Sequence, residues 1–257
     1  MSILLRSVPI SLSWNNNQFS LASNSQYLIC QDNQTHFIRS EQRIQEYIQG
    51  IGAIYSIADG VQSLPRPKAS AAIAIRAIRE FYQGATLSSP VIQLTRFVDQ
   101  SHYKLKHKAE KDNIAPLGAS IVSAWVLDER LHFVNIGNTR LYEYTDKKLI
   151  QHSVDQSIEH FNQRSTDSGA RLGQAFLFGR YDHNEQLHIE LGENVKSIKV
   201  HKGQRFLLCS ASFPMLLGQK LNAFLDLPIE QLNAQCKATI QKVSFQSDVS
   251  AIVLDIN

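Results

Sequence analysis

One acidic turn in the sequence is suited to present a carboxylate to a metal ion. The apolar run IGAIYSIADG, residues 51–60, ends in Asp59 and Gly60, and an alanine-rich segment follows from Lys68. A carboxylate held at the end of a strand is a good ligand for a hard divalent cation. Asp-Gly pairs also favour turns for backbone reasons alone, so both interpretations stay open at this point.

Other reactive residue types show no spacing that is typical of a site. The nine histidines contain no H-E-x-x-H pair of zinc ligands, and Cys30, Cys209 and Cys236 contain no C-x-x-C pair. Ser210 lies beside Cys209 in RFLLCSAS without the G-x-S-x-G turn of a nucleophilic serine. We expect both to be core residues of a strand.

The hydrophobic pattern predicts the elements that would position Asp59. Residues 51–60 predict a strand, and the recurrence of Ile75, Ile78 and Tyr82 predicts an amphipathic helix that begins near Lys68. Two more helices are predicted, one within residues 90–110 and one at residues 228–242.

Short β-rich runs fill the middle and the end of the chain. The runs GASIVSAWVL (118–127), LHFVNI (131–136) and TRLYEYT (139–145) predict three consecutive antiparallel strands, joined by hairpins at DER and GN. Further strands are predicted at SIKVHK, QRFLLCSA and DVSAIVLDI, and the N-terminal MSILLRSVPISLSW predicts a first strand rather than a signal peptide. This order predicts an α+β fold with at least two antiparallel sheets. Because no linker or repeat interrupts it, we expect a single domain over residues 1–257.

Composition excludes several classes of protein. The net charge is only +3 over 257 residues and no long basic run occurs, so no nucleic-acid partner is expected. No stretch of 18 apolar residues occurs, so no membrane span is expected. Three widely separated cysteines form no disulfide framework, which favours a reducing, cytoplasmic location.

An ordered set of segments resembles the metal-dependent Ser/Thr protein phosphatases of type 2C, the PPM family. YSIADGVQS resembles the family's strand ending in A-D-G-M-G-G, and GASIVSAWVLDERLHFVNIGNTRLYEY resembles its G-[ST]-T strand with the V-G-D-S-R segment. Three further segments match family motifs one to one. The family has T-x-D-H-S where this chain has HSVDQS, L-L-C-S-D-G-L where it has RFLLCSASF, and D-[ND]-x-[ST]-x-x-V where it has QSDVSAIVL. The resemblance covers roughly residues 19–255, and it implies a degenerate, bacterial-type member.

The resemblance implies two packed antiparallel β-sheets flanked by helices, an α-β-β-α sandwich. It also implies two Mg²⁺ or Mn²⁺ ions, bound by carboxylates at one end of the sandwich, that clamp a phosphate and activate a water. Asp59 and the carbonyl of Gly60 match the metal-bridging A-D-G of the family, and Asp248 is a second residual candidate ligand.

The acid or arginine that the family has is replaced at five positions. Alignment of ASNSQY with R-x-x-N-[EQ]-D puts Ala22 at the phosphate-binding arginine and Tyr27 at a metal aspartate. The other replaced positions are Asn138 in GNTR, Ala211 in CSASF and Ser247 in QSDVS.

Two changes of register would restore acids. Asp32 takes the place of the first aspartate if Tyr27 aligns with the arginine and Cys30 with the asparagine. Asp248 takes the place of Ser247 after a slip of one residue, but in a strand such a slip reverses the face to which a side chain points.

These replacements predict a catalytically impaired phosphatase-like protein, a pseudophosphatase, that needs no cofactor and acts in signalling by binding a protein. Its partner would be a phosphoprotein or a component of a kinase pathway. The alternative is a weakly active Ser/Thr phosphatase that uses Mn²⁺ or Mg²⁺ in an altered site.

Overall fold

A computed structural model describes the backbone of most of the chain. The described residues are 5–15, 18–20, 25–31, 34–37, 43–44, 52–61, 64, 66–83, 90–114, 117–155, 195–240 and 248–257. Side chains are described for residues 5–10 and, beyond residue 50, for each of these residues except that at position 240.

The described residues form thirteen strands. They are β1 (Leu5–Asn15), β2 (Gln18–Ser20), β3 (Ser25–Gln31), β4 (Gln34–Phe37), β5 (Arg43–Ile44), β6 (Ala53–Gly60), β7 (Ala119–Leu127), β8 (Arg130–Ile136), β9 (Arg140–Thr145), β10 (Lys148–Gln151), β11 (Lys196–Lys199), β12 (Arg205–Cys209) and β13 (Val249–Ile256).

These strands build two antiparallel sheets. One sheet has seven strands in the order β11-β8-β7-β6-β3-β4-β5, and the other has six in the order β10-β9-β12-β13-β1-β2. The predicted N-terminal strand is confirmed as β1, which pairs with the C-terminal β13 from Leu5 opposite Ile256 to Leu12 opposite Val249.

The two sheets pack face to face through an apolar layer. Tyr55, Ile57 and Phe133 of the seven-stranded sheet share this layer with Leu208 and Ile252 of the six-stranded sheet. β6 and β7 are buried on both faces, because helices cover their other side. This explains why their sequences are almost continuously apolar instead of alternating.

Two long helices cover the outer face of the seven-stranded sheet. α1 (Pro67–Gln83) and α2 (Pro90–Lys111) lie where the periodicity predicts helices. Ile75, Ile78 and Tyr82 of α1 are buried, as predicted, and the Tyr82 ring lies 5.5 Å from that of Trp125 on β7. Burial of this apolar face, rather than helix propensity alone, stabilises α1.

Shorter helices cover the outer face of the six-stranded sheet. They are α3 (Ser212–Leu217), the 3₁₀ turn Gly218–Lys220, α4 (Leu221–Leu225) and α5 (Ile229–Ile240). Phe213, Phe224 and Leu232 from this layer pack on Leu207 and Val253 of the sheet. The predicted helix at 228–242 is confirmed as α5.

The predicted α+β class is confirmed: two antiparallel sheets lie face to face between two helical layers. None of the described helices is both long and apolar enough to cross a bilayer. The single domain over residues 1–257 stays a prediction.

The predicted hairpin at Gly137 and Asn138 is wrong. β8 pairs with β7 and β11, whereas β9 pairs with β10 and β12 of the other sheet. The segment therefore carries the chain from one sheet to the other, and Gly137 makes the sharp turn with a left-handed φ of 85°. A Gly-Asn pair predicts a tight turn correctly, but the turn alone does not determine which strands pair across it.

Candidate functional site

Asp59 lies at the end of β6, where its backbone pairs with Ser25 of β3 and Ser120 of β7. Its side chain is half-buried. The Ser120 hydroxyl lies 3.4 Å from the Asp59 carbonyl oxygen and donates a hydrogen bond to Asn138 Oδ1 at 3.1 Å. Ser120 therefore connects the backbone of Asp59 to Asn138, one of the replaced positions.

Gly60 is held against the beginning of α1. A Cβ atom placed on Gly60 would lie only 1.9 Å from the carbonyl oxygen of Pro67, so no larger residue fits without movement of the backbone. Arg66, directly before α1, has a left-handed φ of 53°, and its carbonyl accepts the Ser70 amide hydrogen of the first helical turn. The close approach of α1 thus requires a glycine here for packing, independently of any ligand.

The chain segment that follows Asn138 is held by a half-buried ion pair. Arg140 binds Asp155 through Nε at 2.9 Å and Nη2 at 2.6 Å, and its Nη1 lies 3.2 Å from the Tyr142 hydroxyl. The hydrogen bond to Asp155 raises the pKa of the Arg140 guanidinium, which stays charged. Thr139 is fully buried, and its hydroxyl has no hydrogen-bond partner in the described structure.

Ala211 stands in the turn between β12 and α3. It occupies the N-cap position of α3 without a side-chain hydrogen bond, which its methyl group cannot form. On either side, the Ser210 and Ser212 hydroxyls lie 2.9 Å apart, and Ser212 donates to the Asp248 carbonyl at 2.5 Å. Asp248 itself is buried, directly before β13.

Strand register brings these segments to one end of the sandwich. Arg140 pairs with Cys209, and Cys209 pairs with Ala251, so Asn138, Ala211 and Asp248 lie beyond the same end of β9, β12 and β13. The Ser120 contact joins this end to Asp59 on the opposite sheet.

Cys209 does not have the environment of a nucleophile. It is fully buried in the core under α3, and burial raises the pKa of its thiol. A thiol held in the protonated form is a poor nucleophile. This agrees with the prediction that Cys209 is a core residue of a strand.

Several solved structures with this architecture are phosphatases. The catalytic domain of the serine/threonine protein phosphatase PstP, in complex with two manganese ions, matches with a TM-score of 0.71, 16% identity, and coverage of 99% of this chain and 99% of that chain. Serine/threonine phosphatase Stp1 from Staphylococcus aureus matches with a TM-score of 0.73, 13% identity, and coverage of 99% and 96%.

This chain has the type 2C phosphatase fold. PppA, described as a key regulatory component of the type VI secretion system in Pseudomonas aeruginosa, shares that fold with a TM-score of 0.65, 14% identity, and 98% coverage of both chains. No family model and no curated protein sequence matches the chain. The resemblance predicted from the motifs is therefore confirmed at the level of the fold.

Within the type 2C phosphatase fold, not all predicted site positions are described. Ala22, Ser247 and the alternative Asp32 lie outside the described residues. The backbone of Tyr27 lies on β3 opposite Ile57, two residues from the Ser25–Asp59 pair. The metal-ligand roles of Asp59, Gly60 and Asp248 stay predictions.

Two features of this end of the fold were not predicted from the sequence. The Arg140–Asp155 pair joins two segments, GNTR and HSVDQS, that the motif comparison had matched separately. Ser120 lies two residues after the glycine of GASIV, and the sequence assigned it no role. The order of the motifs along the chain was a signal for the Arg140–Asp155 pair. The role of Ser120 depends on its three-dimensional contact with Asn138, for which the sequence gives no signal.

Proposed function

We propose that this protein is a pseudophosphatase: a type 2C phosphatase-like protein with impaired catalysis that acts in signalling by binding a protein partner. The observation that carries this proposal is Ala211. Ala211 follows RFLLCS, where the motif comparison expects a metal-binding aspartate, and the pairing of β12 with β9 and β13 supports this by bringing Ala211 to the same end of the sandwich as Asn138 and Asp248.

The other donors at this end of the sandwich also support the proposal. Asn138 is a neutral amide whose oxygen already accepts the Ser120 hydrogen bond. Across the described residues, no three His, Cys, Asp or Glu side chains come together as a group that could hold an ion. Two divalent ions need several anionic oxygen ligands between them, so the described donors do not fit a two-ion centre.

In two-metal hydrolysis, both ions stabilise the charge that develops on the attacking and leaving oxygens. Loss of one carboxylate ligand removes much of that stabilisation. Asp59 and Asp248 are the candidate ligands that the described part of this end retains.

A role in protein binding follows from what the chain retains. The described residues form both sheets and both helical layers, and among proteins with the same fold PstP is a serine/threonine protein phosphatase and PppA is described as a key regulatory component of a secretion system. We propose a phosphoprotein or a component of a kinase pathway as the partner. The free thiols of Cys209 and Cys236 fit the proposed cytoplasmic location.

The test is hydrolysis of a phenyl phosphate ester and of a phosphothreonine peptide with Mn²⁺ or Mg²⁺. We expect no turnover above the buffer background. Turnover that disappears in the Asp59→Asn variant would contradict the proposal and favour the alternative, a weakly active metal-dependent phosphatase. Turnover that survives in Asp59→Asn would come from a contaminating enzyme.

A further inference from the structure

Positive charge is concentrated in the helical layer on the seven-stranded sheet. Residues 66–114 contain nine Lys and Arg against four Asp and Glu, a net charge of +5, whereas the whole chain carries +3. The rest of the molecule is therefore slightly acidic. The excess charge belongs to α1, α2 and their flanking residues.

Part of this charge is neutralised within the layer. Asp112 binds Arg66 Nη1 and Lys108 Nζ, each at 2.6 Å, and Glu80 of α1 pairs with Lys104 of α2. The Arg66–Asp112 and Lys104–Glu80 pairs connect the two helices, whereas the Lys108–Asp112 pair lies at the end of α2. They also show which cations are already paired.

Lys106 of α2 pairs with Glu110 at 4.0 Å, and the remaining cations of α2, Arg96 and Lys111, lie in an exposed stripe along one side of the helix. Its members are spaced three or four residues apart, so they follow one face over roughly 29 Å. This α2 stripe consists of Ile92, Arg96, Gln100, Tyr103, His107 and Lys111, all of which are exposed.

The stripe combines unpaired charge with exposed apolar surface. Arg96 and Lys111 make no ion pair with any residue in the described part of the chain. Tyr103 is 66% exposed and stacks on the His107 ring at 6.0 Å, while Ile92 is 50% exposed. Tyrosine and arginine are the residue types that most often provide binding energy at protein interfaces.

We propose that the α2 stripe is the docking surface for an acidic segment of a partner protein, whose apolar side chains cover Ile92 and Tyr103. The inference deepens the protein-binding function proposed above, because it assigns that function to a surface and a chemical class of partner. Charge complementarity carries it: Arg96 and Lys111, which make no ion pair in the described structure, attract carboxylates, and the apolar residues of the stripe favour a partner that also buries surface.

Other occupants fit the stripe less well. A second copy placed symmetrically on the stripe would bring Arg96 and Lys111 against the same residues of its partner, with like charges facing each other. Nucleic acid and anionic membranes favour many closely spaced cations, whereas here Asp99 and Glu110 flank the stripe and only two of its members are permanently charged.

The experiment measures binding of a labelled synthetic helix by fluorescence anisotropy. The peptide has about 20 residues, with Leu residues three helical turns apart to meet Ile92 and Tyr103, and with Glu at the surrounding positions. A second peptide has Lys in place of every Glu. The full-length protein is compared with the double variant Arg96→Glu/Lys111→Glu and with Tyr103→Ser.

A matched control changes the same net charge elsewhere. Lys196→Glu/Lys199→Glu reverses two exposed lysines on β11, on an edge strand of the seven-stranded sheet. We expect the Glu peptide to bind the unmodified protein, the stripe double variant to bind it about tenfold more weakly, and Tyr103→Ser about threefold more weakly. The β11 control should stay within about twofold, and the Lys peptide should not bind.

Several results would overturn the proposal. The first is that the unmodified protein fails to bind the Glu peptide, and the second is that the stripe and β11 variants bind that peptide equally weakly. The third is that a single-stranded RNA or phosphatidylserine vesicles bind more tightly than the Glu peptide, and that this binding depends on the stripe. Dimerisation that the stripe variant abolishes would assign the surface to a second copy. Hydrolysis measured on the same preparations separates the two proposals, since turnover lost in Asp59→Asn overturns the pseudophosphatase alone.

Discussion

At the scale of single residues, Gly60 shows how a position that resembles a metal site can also have a packing role. Its missing side chain allows the Pro67 carbonyl to approach, which sets the beginning of α1 relative to the end of β6. Asp59 beside it lies at the end of β6 with a half-buried side chain. The Asp-Gly pair therefore contains one residue that the packing of α1 requires and one carboxylate whose role as a metal ligand stays a prediction.

We predict that Gly60→Ala destabilises the protein by about 3 kcal/mol, because the added methyl group overlaps the Pro67 carbonyl and the backbone must shift. Urea unfolding, followed by circular dichroism, measures the loss. The loss should be the same with Mn²⁺ and with EDTA, since packing is its cause.

Gly203→Ala serves as the control for Gly60→Ala. Gly203 has a φ of +88°, but an added methyl group there meets nothing within 4 Å. It should cost about 1 kcal/mol, the cost of the left-handed backbone alone. A Gly60→Ala cost that is no larger, or one that appears only with Mn²⁺, would contradict the packing explanation.

At the scale of elements, each helical layer is fixed to its sheet by a few specific contacts. α1 buries Ile75 and Ile78 completely against the seven-stranded sheet. On the other side, the Tyr144 hydroxyl of β9 donates to Asp226 Oδ1 at 2.7 Å, just after α4, and Arg205 of β12 binds the Leu227 carbonyl.

Truncation of a buried residue on α1 should be costly. Ile78→Ala is expected to lower the free energy of unfolding by about 2–5 kcal/mol, because it leaves a cavity between the helix and the sheet. Ile92→Ala on α2 is the matched control, since Ile92 is 50% exposed, and it should change stability by less than about 0.5 kcal/mol. Equal losses in chemical denaturation would contradict the assignment of the buried face.

The Tyr144 contact predicts a dependence of stability on high pH. Burial and the hydrogen bond to Asp226 raise the pKa of Tyr144 from 10.0 to about 12. The folded state therefore holds this proton more tightly than the unfolded chain, and the stabilisation is complete below about pH 10 and lost as the pH rises towards 12.

Tyr144→Phe should accordingly lose less stability than the unmodified protein between pH 10 and 12, although it is less stable at neutral pH by about 1 kcal/mol. Asp226→Asn keeps an acceptor but removes the charge, so it should reduce the pH dependence in part. Urea unfolding at pH 9 to 12 gives the free energy of unfolding of the three proteins as a function of pH. If this free energy falls equally steeply with pH in all three, Tyr144 does not titrate as described.

At the scale of the whole molecule, local patterns predicted the layers better than they predicted the connections. The apolar recurrence at Ile75, Ile78 and Tyr82 depends on helix geometry alone, and the structure confirms it. The passage of Gly137 and Asn138 between sheets depends on pairing with β12, about 65 residues away, which no local pattern contains.

The candidate site was predictable to a similar extent. An ordered set of motifs identified the fold and the strand ends at which Asp59 and Ala211 lie. The Arg140–Asp155 pair and the Ser120–Asn138 contact arise only when separate segments meet in space. Short strands such as β4 and β5 were also missed, because two to four residues are too few for a periodic signal.

The central claim, that this end of the sandwich no longer holds a catalytic metal pair, is tested most directly by thermal unfolding with Mn²⁺, with EDTA and with neither. An ion at 100 times its Kd would stabilise the fold by about 2.7 kcal/mol and raise the Tm by roughly 5–10 °C. We predict that the three Tm values agree to within about 1 °C, well below that shift. A Mn²⁺-dependent rise of several degrees that Asp59→Ala abolishes would show that the site still binds its metal.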